Sequence, residues 1–205
     1  MRRLITKRKT FSLMIIMAIC AITTKTSAAE EIKNYKGTPF KKLEIPGTIE
    51  AEDYDNGGSD IAYKFKNGKD GNNKQYREDK GVSLNKNGQK TFIGHTSSGD
   101  WTNYTVNVMQ DGVYTIETFC VSGSGNGRFF FELDGEPVCK LQNAPDDNWN
   151  NLSCSVKTDG VRIKKGKHIL KWYTYGGMNI DKFTFTRTGD LIGNNTKPGG
   201  FDYKY

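Results

Sequence analysis

Glu50 and Glu52 are the pair of residues whose spacing most directly suggests chemistry. They lie in the segment 48–54 (TIEAEDY), which we expect to be a strand, and side chains two apart on a strand point to the same face. Two carboxylates so close repel each other unless something offsets their charge. A shared proton in a catalytic acid–base pair, a bound cation or plain solvent would each do so.

A third carboxylate, Asp181, lies on the last predicted strand, in 176–183 (GGMNIDKF). The first and last strands of a sandwich often lie close together, so Asp181 is expected near Glu50 and Glu52. Carboxylate oxygens without a paired His or Cys suit Ca²⁺ rather than zinc. The residues alone leave a calcium site and a solvated sheet edge as the two main alternatives, with a catalytic pair as the third.

The two histidines offer little chemistry. His95 and His168 are far apart in the sequence, and neither has an evident partner, which argues against a zinc site or a His-based triad. The Gly-containing segment 67–72 lacks the strand–helix context of a phosphate-binding loop.

Residues 1–28 have the layout of a secretory signal peptide. They contain no acidic residue, and a basic start leads into the apolar run 13–22 and then into Ser27-Ala28-Ala29. About ten apolar residues are too few for the ~20 of a membrane-spanning helix. We therefore predict cleavage after Ala28 or Ala29 and a chain that is secreted, periplasmic or at the cell surface. Ile19 precedes Cys20 where a lipoprotein signal has a small residue, which disfavours lipidation.

The formal charge of +7 at first suggests an anionic partner such as nucleic acid. Six of the 30 basic residues lie in the predicted signal peptide, however, which leaves 24 basic against 23 acidic residues. Export and this near-neutral balance argue against nucleic acid. One stretch, 64–90, stays basic, with eight Lys or Arg and three acids. It is either a solvated loop or a surface that favours acidic polysaccharide.

Three cysteines remain after the signal peptide: Cys120, Cys139 and Cys154. Export would place them in an oxidising compartment, and an odd number allows at most one internal bridge. A bridge from Cys139 to Cys154 would close a loop around Trp149. Buried free thiols on strands are the alternative.

From Gly47 onward the sequence alternates between short strand patterns and Gly-containing turns. In 101–109, Tyr104, Val106 and Val108 fall on one face, and Asp134-Gly135 is a strong hairpin signal. Further strands are predicted at 112–121, 128–133, 152–157, 167–175 and 179–187. The pattern predicts an all-β sandwich, preceded by a leader at 29–45 and followed by a tail at 189–205.

Five segments, in order, resemble the family 6 carbohydrate-binding modules, which are secreted, non-catalytic, calcium-containing β-sandwiches. They are TIEAEDYDNGGSDIAYK, QYREDKGVSL, FIGHTSSGDWTNYTVNVMQDGVYTIE, FELDGEPV and GGMNIDKFTFT. The resemblance covers residues 46–188 and is most specific from Gly94 to Glu117. It implies a jelly-roll β-sandwich of two antiparallel sheets, with a structural Ca²⁺ held by Glu50, Glu52 and Asp181.

The resemblance also implies a loop cleft in which a sugar ring is clamped between two aromatic faces and hydrogen-bonded by an asparagine. The matching residues are Tyr76, Trp149 and Asn179. Trp149 lies in the polar loop 146–151 (DDNWNN), and Tyr76 in an equally polar stretch, where ligand contact is favoured over packing. Trp101, which begins an alternating strand, matches a residue that the family uses for packing.

Three departures from the family pattern affect the cleft rather than the fold. Lys74-Gln75 replace small residues before the Tyr-Arg motif, Leu152 replaces a frequent second aromatic residue, and His95 occupies a position that is often aromatic.

The sequence as a whole predicts a secreted, monomeric module that binds polysaccharide or oligosaccharide, such as xylan or β-glucan, without catalysis of its own. Glycoside hydrolases that act on the same polysaccharide are the expected protein partners. The alternatives are a small glycoside hydrolase that uses Glu50 and Glu52, and an extracellular adhesin or assembly domain.

Overall fold

The computed structural model describes residues 32–68, 71–72, 75–78 and 80–191. The predicted signal peptide with Cys20, residue Lys74 and most of the predicted tail lie outside this part. No helix in the described ranges is long and apolar enough to cross a membrane.

The described residues form thirteen strands and one short 3-10 helix, η1 (Ala51–Asp53). In chain order the strands are β1 (Leu43–Ile45), β2 (Gly47–Glu50), β3 (Tyr63–Lys64), β4 (Leu84–Asn87), β5 (Lys90–Ile93), β6 (Trp101–Val108), β7 (Gly112–Val121), β8 (Arg128–Leu133), β9 (Glu136–Pro137), β10 (Gln142–Asn143), β11 (Ser155–Ile163), β12 (Gly166–Tyr175) and β13 (Asn179–Gly189).

The strands form two sheets. One has the order β1-β6-β12-β8-β10, with β3 beside β6 and β9 beside β8. The other has the order β11-β7-β13-β5-β4, with β2 beside β13. The pairings are antiparallel except for that of β1 with β6. The fold is the predicted all-β jelly-roll sandwich.

Aromatic side chains from both sheets meet in the core. The ring of Phe183 on β13 contacts Tyr104 of β6 and Phe131 of β8 edge-on, with centroids 5.6 and 5.1 Å apart. Trp172 on β12 is also fully buried. Buried residues alternate with less buried ones along β7 and β8, so the period-2 pattern of the sequence placed these strands correctly.

The fold begins earlier than the sequence pattern indicated. β1 lies within the residues predicted as a leader, and its residues Leu43 and Ile45 are buried. The Tyr35 hydroxyl donates to Asp55 Oδ2 at 2.9 Å, which ties the chain upstream of β1 to the sandwich. A three-residue strand is too short to show a period in the sequence, which is why it was missed.

Candidate functional site

A cavity of about 420 Å³ opens among the loops at one end of the sandwich, and we call it the Trp149 cavity. Its volume is in the ~300–1,000 Å³ range of small-ligand sites. The residues that line it are mainly polar: Asn72, Asn85, Lys86, Phe92, His95, Thr96, Trp149, Asn150, Met178 and Asn179.

Trp149 is held in place by two glycines and is still 41% exposed. A Cβ atom added to Gly123 would lie 2.5 Å from Cδ1 and Nε1 of the indole, and one on Gly177 would lie 3.4 Å from Cη2. The ring therefore packs against the Gly123 backbone, where any side chain would displace it. An indole supported in this way can offer its remaining surface to a ligand.

Asn179 lies at the start of β13 and is almost fully buried. Its Nδ2 donates to the backbone carbonyl oxygen of Trp149 at 2.8 Å, so the amide fixes the position of the tryptophan loop. A Cβ atom on Gly94 would lie 2.8 Å from Asn179 Oδ1, which places this oxygen beside the Gly94 backbone. Asn179 and Trp149 are thus brought together as predicted.

His95 and Lys86 also line the Trp149 cavity. The His95 backbone is left-handed, with φ of 51°, and its Nδ1 is 2.9 Å from Ser83 Oγ, so the exposed ring is held by a hydrogen bond. Lys86 lies on β4, and its backbone N–H donates to Asn72 Oδ1 at 2.7 Å. Sequence reasoning noted only that His95 replaced an aromatic residue. Its place in the cavity depends on strands β4 and β5, which carry no chemical motif.

Tyr76 does not lie at the Trp149 cavity, and this changes the predicted aromatic clamp. Its hydroxyl donates to Asp53 Oδ1 at 2.6 Å and accepts from Lys41 Nζ at 2.8 Å. Its ring lines a different cavity, together with Phe40 and Arg77. Burial, followed by the Asp53 hydrogen bond, raises the pKa of Tyr76 to about 12. The ring is bound into the structure around η1.

The Arg77 side chain explains why the Tyr-Arg motif is structural here. It is buried, and its guanidinium lies 3.8 Å from the centroid of Tyr54 and 4.0 Å from that of Phe40. It donates to the backbone carbonyls of Tyr54 and Asp55 and to Asn56 Oδ1. The motif therefore fixes the segment that follows η1.

The three predicted metal ligands lie around the junction of β2, η1 and β13. Glu50 is half-buried at the end of β2, opposite Lys182. Glu52 is buried in η1 and not on a strand, so the expected two-residue strand spacing is wrong for this pair. Asp181 lies at a register shift of β13 between Ile180 and Lys182, and such a bulge redirects a side chain.

Glu52 is a buried carboxylate surrounded by other acids. Its Oε2 is buried and has no hydrogen-bond partner among the described residues. Burial, together with the carboxylates of Glu50, Asp53 and Asp181, raises the pKa of Glu52 to about 8. A buried, unpartnered oxygen facing other acids is an environment that a hard cation would stabilise.

Asp181 is at present paired with a lysine. Lys90 Nζ lies 3.0 Å from Asp181 Oδ2, and the lysine side chain is half exposed while the aspartate is buried. No three His, Cys, Asp or Glu side chains of the described ranges are gathered closely enough to form a ligand set by themselves. A cation would have to displace Lys90 from Asp181 and take further oxygens from backbone or water.

Trp101 does not pack in the core as its strand position suggested. It is partly exposed on the outer face of the sheet, in a cross-strand row with Tyr173 and Phe130. The rings of Phe130 and Tyr173 stack in parallel at 5.1 Å, and Lys171 Nζ lies 5.0 Å from the Trp101 ring. Because the rings of Phe130 and Tyr173 stack on each other, the main role of this row is to cover the outer face of the sheet.

His168, whose partners were not evident in the sequence, is hydrogen-bonded at both ring nitrogens. Nδ1 lies 2.6 Å from Asp134 Oδ2, and Nε2 lies 2.9 Å from the Lys164 carbonyl oxygen. The ring is buried, so this pair joins the Asp134-Gly135 hairpin turn to β12 and forms no open site.

The cysteines Cys120, Cys139 and Cys154 are all free thiols, and the expected alternative of a Cys139–Cys154 bridge is not formed. Burial raises the pKa of Cys139 to about 11 and that of Cys120 to about 12. Both are therefore poor nucleophiles at neutral pH.

A supported, exposed tryptophan over an asparagine-rich cavity, at the loop end of a β-sandwich, defines a sugar-binding module as the class of protein. The sequence profile of carbohydrate binding module family 6 matches residues 72–187. The chain belongs to this family of carbohydrate-binding modules.

Solved structures of the family share the fold. The C-terminal family 6 module of LamC, a marine laminarinase from Zobellia galactanivorans, is 24% identical, with a TM-score of 0.53 over 69% of this chain and 98% of the other. A family 6 module from Clostridium cellulolyticum, solved with xylose, is 19% identical, with a TM-score of 0.51 over 71% of this chain and 100% of the other. A β-1,3-glucan binding module from Bacillus halodurans is 19% identical, with a TM-score of 0.50 over 72% and 100%. A search among curated proteins found no match.

Proposed function

We propose that this chain is a secreted, non-catalytic module that binds β-linked polysaccharide, such as xylan or β-glucan, in the Trp149 cavity. The observation that carries the proposal is the Trp149 side chain, which is 41% exposed although it is packed on Gly123 and fixed by Asn179. An aromatic ring that stays exposed while its position is fixed offers an apolar face on which the C–H groups of a sugar ring can stack.

The geometry divides the work of binding among the cavity residues. The indole face of Trp149 would stack on the C–H groups of a pyranose ring, and the asparagine amides would exchange hydrogen bonds with its hydroxyls. Asn179 already donates to the Trp149 carbonyl, so its main task is to position the tryptophan. His95, which lines the same cavity, would take the place predicted for Tyr76 as the second ring beside the sugar.

We propose that Glu50, Glu52 and Asp181 hold a structural Ca²⁺. The support is the buried, unpartnered Oε2 of Glu52 and the raised pKa values of Glu50 and Glu52 beside further carboxylates. The ion would neutralise these charges and fix η1 against β13.

A small glycoside hydrolase that uses Glu50 and Glu52 is less well supported. Glu52 is buried in η1 and does not line the Trp149 cavity, so this pair lies apart from the proposed sugar site. An adhesin or assembly domain would use the sandwich only as a scaffold, and it leaves the exposed Trp149 without a role.

A glycan array probed with and without calcium tests the proposal, with Trp149→Ala and Trp101→Ala as variants. We expect binding to a β-linked glycan that is reduced at least about 30-fold in Trp149→Ala, the effect of losing one central contact residue. Trp101→Ala, on the outer face, serves as the matched control and should bind normally. A folded parent chain that binds no glycan would favour the adhesin class, and release of reducing sugar from pooled polysaccharides would favour the hydrolase.

A further inference from the structure

We infer that the Trp149 cavity takes an acidic sugar, with Lys86 and His95 paired to its anionic group. The inference rests on the proposed function and specifies its ligand. The shared chemistry is a negative charge on a pyranose ring, either the carboxylate of a uronic acid or a sulfate ester.

The cavity lining carries positive charge without acidic compensation. Lys86 and His95 both line it, and no Asp or Glu of the described ranges does. Lys86 has no carboxylate within ion-pair distance in the described ranges, whereas Lys41, Lys64 and Lys90 elsewhere each do. A lysine left unpaired beside an exposed tryptophan is available to a ligand.

His95 is also held so that it can contact the anionic group of the sugar. Ser83 Oγ lies 2.9 Å from Nδ1 and fixes the ring, and Nε2 has no partner in the part of the chain that the structure describes. When Nε2 carries a proton, it can donate to a carboxylate or sulfate oxygen as well as to a hydroxyl. The ring is exposed, so this contact requires no movement of the strands.

Two acids that are close in sequence to the cavity residues are engaged by other partners. Asp147, two residues before Trp149, accepts from the Asn148 N–H at 2.6 Å and from Asn151 Nδ2 at 2.9 Å within its own loop. Asp181, two residues after Asn179, is paired with Lys90. A neutral sugar would need only the amides and the indole, and it would leave Lys86 without a charged partner. An acidic sugar uses the whole lining.

The test compares charged and neutral forms of the same oligosaccharide by calorimetry with the full chain. One arm uses oligogalacturonate and its carboxyl-reduced form, and the other a sulfated oligosaccharide and its desulfated form. Free calcium is held fixed because uronates bind the ion themselves. We expect one charged form to bind about two- to fivefold more tightly than its neutral form in 20 mM NaCl, about the contribution of one exposed ion pair. In 200 mM NaCl the difference should shrink, because salt screens exposed charges.

Lys86→Met should lower the affinity for the charged form more than that for the neutral form, and so reduce the preference to the part that His95 supplies. Lys167→Met, which removes another exposed lysine, near the start of β12 and outside the lining of the Trp149 cavity, is the matched control and should retain the full preference. The inference is overturned if every neutral form binds as tightly as its charged form, or if Lys86→Met keeps the full preference. If only neutral glycans bind, and they do so through Trp149, the inference fails and the proposed function stands. If the folded chain binds no glycan, both fail.

Discussion

At the scale of single residues, local surroundings separate two aromatic side chains that look alike in the sequence. Trp149 and Tyr76 both lie in polar loops, yet only Trp149 is among the exposed large apolar side chains. The Tyr76 hydroxyl donates to Asp53 and accepts from Lys41, so the Tyr76 ring is held against η1. A polar sequence context predicts exposure, but it cannot reveal a partner that lies 23 residues away along the chain.

Tyr76→Phe tests this assignment. The change removes the hydroxyl and its bond to Asp53 but keeps the ring, so we expect a loss of about 1–2 kcal/mol in the free energy of unfolding. Glycan affinity should stay within about twofold of the parent. Denaturant unfolding and calorimetric titration measure the two quantities. A loss of affinity comparable to that of Trp149→Ala, with unchanged stability, would return Tyr76 to the binding site.

His168 gives a pH-dependent contribution to stability. Burial lowers the pKa of His168, but the hydrogen bonds to Asp134 and to the Lys164 carbonyl outweigh it and raise the pKa above its ordinary value. The folded state therefore holds the proton more tightly than the unfolded state does. Its contribution is fully present below pH ~6.5 and is lost as the pH rises through the folded-state pKa.

Thermal melts of the parent and of His168→Gln between pH 5 and 9 measure this effect. The parent should lose part of its advantage over the variant as the pH rises. An advantage that is constant across the range would show that the pKa of His168 is the same in the folded and unfolded states.

At the scale of elements, the junction of β2, η1 and β13 concentrates charge in the interior. Strand β2 ends at Glu50, the chain turns into η1 at once, and the bulge of β13 brings Asp181 to the same junction. At the end of β2 and at the bulge of β13, the backbone departs from regular strand geometry where an acidic residue occurs. Irregular backbone that gathers buried acids is expensive unless a counter-charge is bound.

Calcium should therefore stabilise the fold, and its removal should lower the melting temperature. In the metal-free protein the pKa of Glu52 is raised to about 8, so the folded state holds a proton that the unfolded state has released. Metal-free stability should then fall as the pH rises from about 4.5 to 8, and saturating Ca²⁺ should reduce or reverse this slope.

Scanning calorimetry of the EDTA-treated and calcium-loaded chain, at several pH values, measures both effects. Glu52→Gln is the control, since it keeps the shape but cannot titrate, and its metal-free form should lose most of the slope. Equal melting temperatures with EDTA and with Ca²⁺ at pH 8 would contradict the proposed metal site.

At the scale of the whole molecule, the sandwich positions the loops, and its described residues show no chemical role beyond that support. The core is closed by Phe131, Phe183 and Tyr104 from facing sheets, and the Trp149 cavity opens at one end of the strands. The net charge of +7 becomes nearly neutral without the predicted signal peptide. A near-neutral surface has no broad electrostatic attraction for a polyanion such as nucleic acid.

We expect the chain without residues 1–28 to be monomeric. Light scattering coupled to size exclusion should give the mass of one chain at both low and high protein concentration, with and without a bound oligosaccharide. A dimer that persists on dilution would contradict this expectation and would call for a search of the outer aromatic row formed by Trp101, Tyr173 and Phe130 as its interface.

The fold was largely predictable from sequence because strand alternation is a local signal. Strands β6, β7, β8, β12 and β13 were located within about two residues, whereas β1 was too short to be recognised. The pairing of Trp149 with Asn179 came from family resemblance. The place of His95, the structural role of Tyr76 and the 3-10 turn at Glu52 depend on contacts between distant segments, which no local pattern encodes.

Asn179 and Asp181 are separated by one residue, Ile180, which is fully buried in the core. Asn179 fixes the tryptophan loop, and Asp181 belongs to the proposed metal site, so an ion that orders the bulge would act on the same short stretch of β13 as the amide. Calcium and sugar would then be thermodynamically linked, and by reciprocity calcium would raise the affinity for sugar by the same factor by which sugar raises the affinity for calcium. A secreted module would in this way bind its polysaccharide most tightly where the surrounding fluid is rich in calcium.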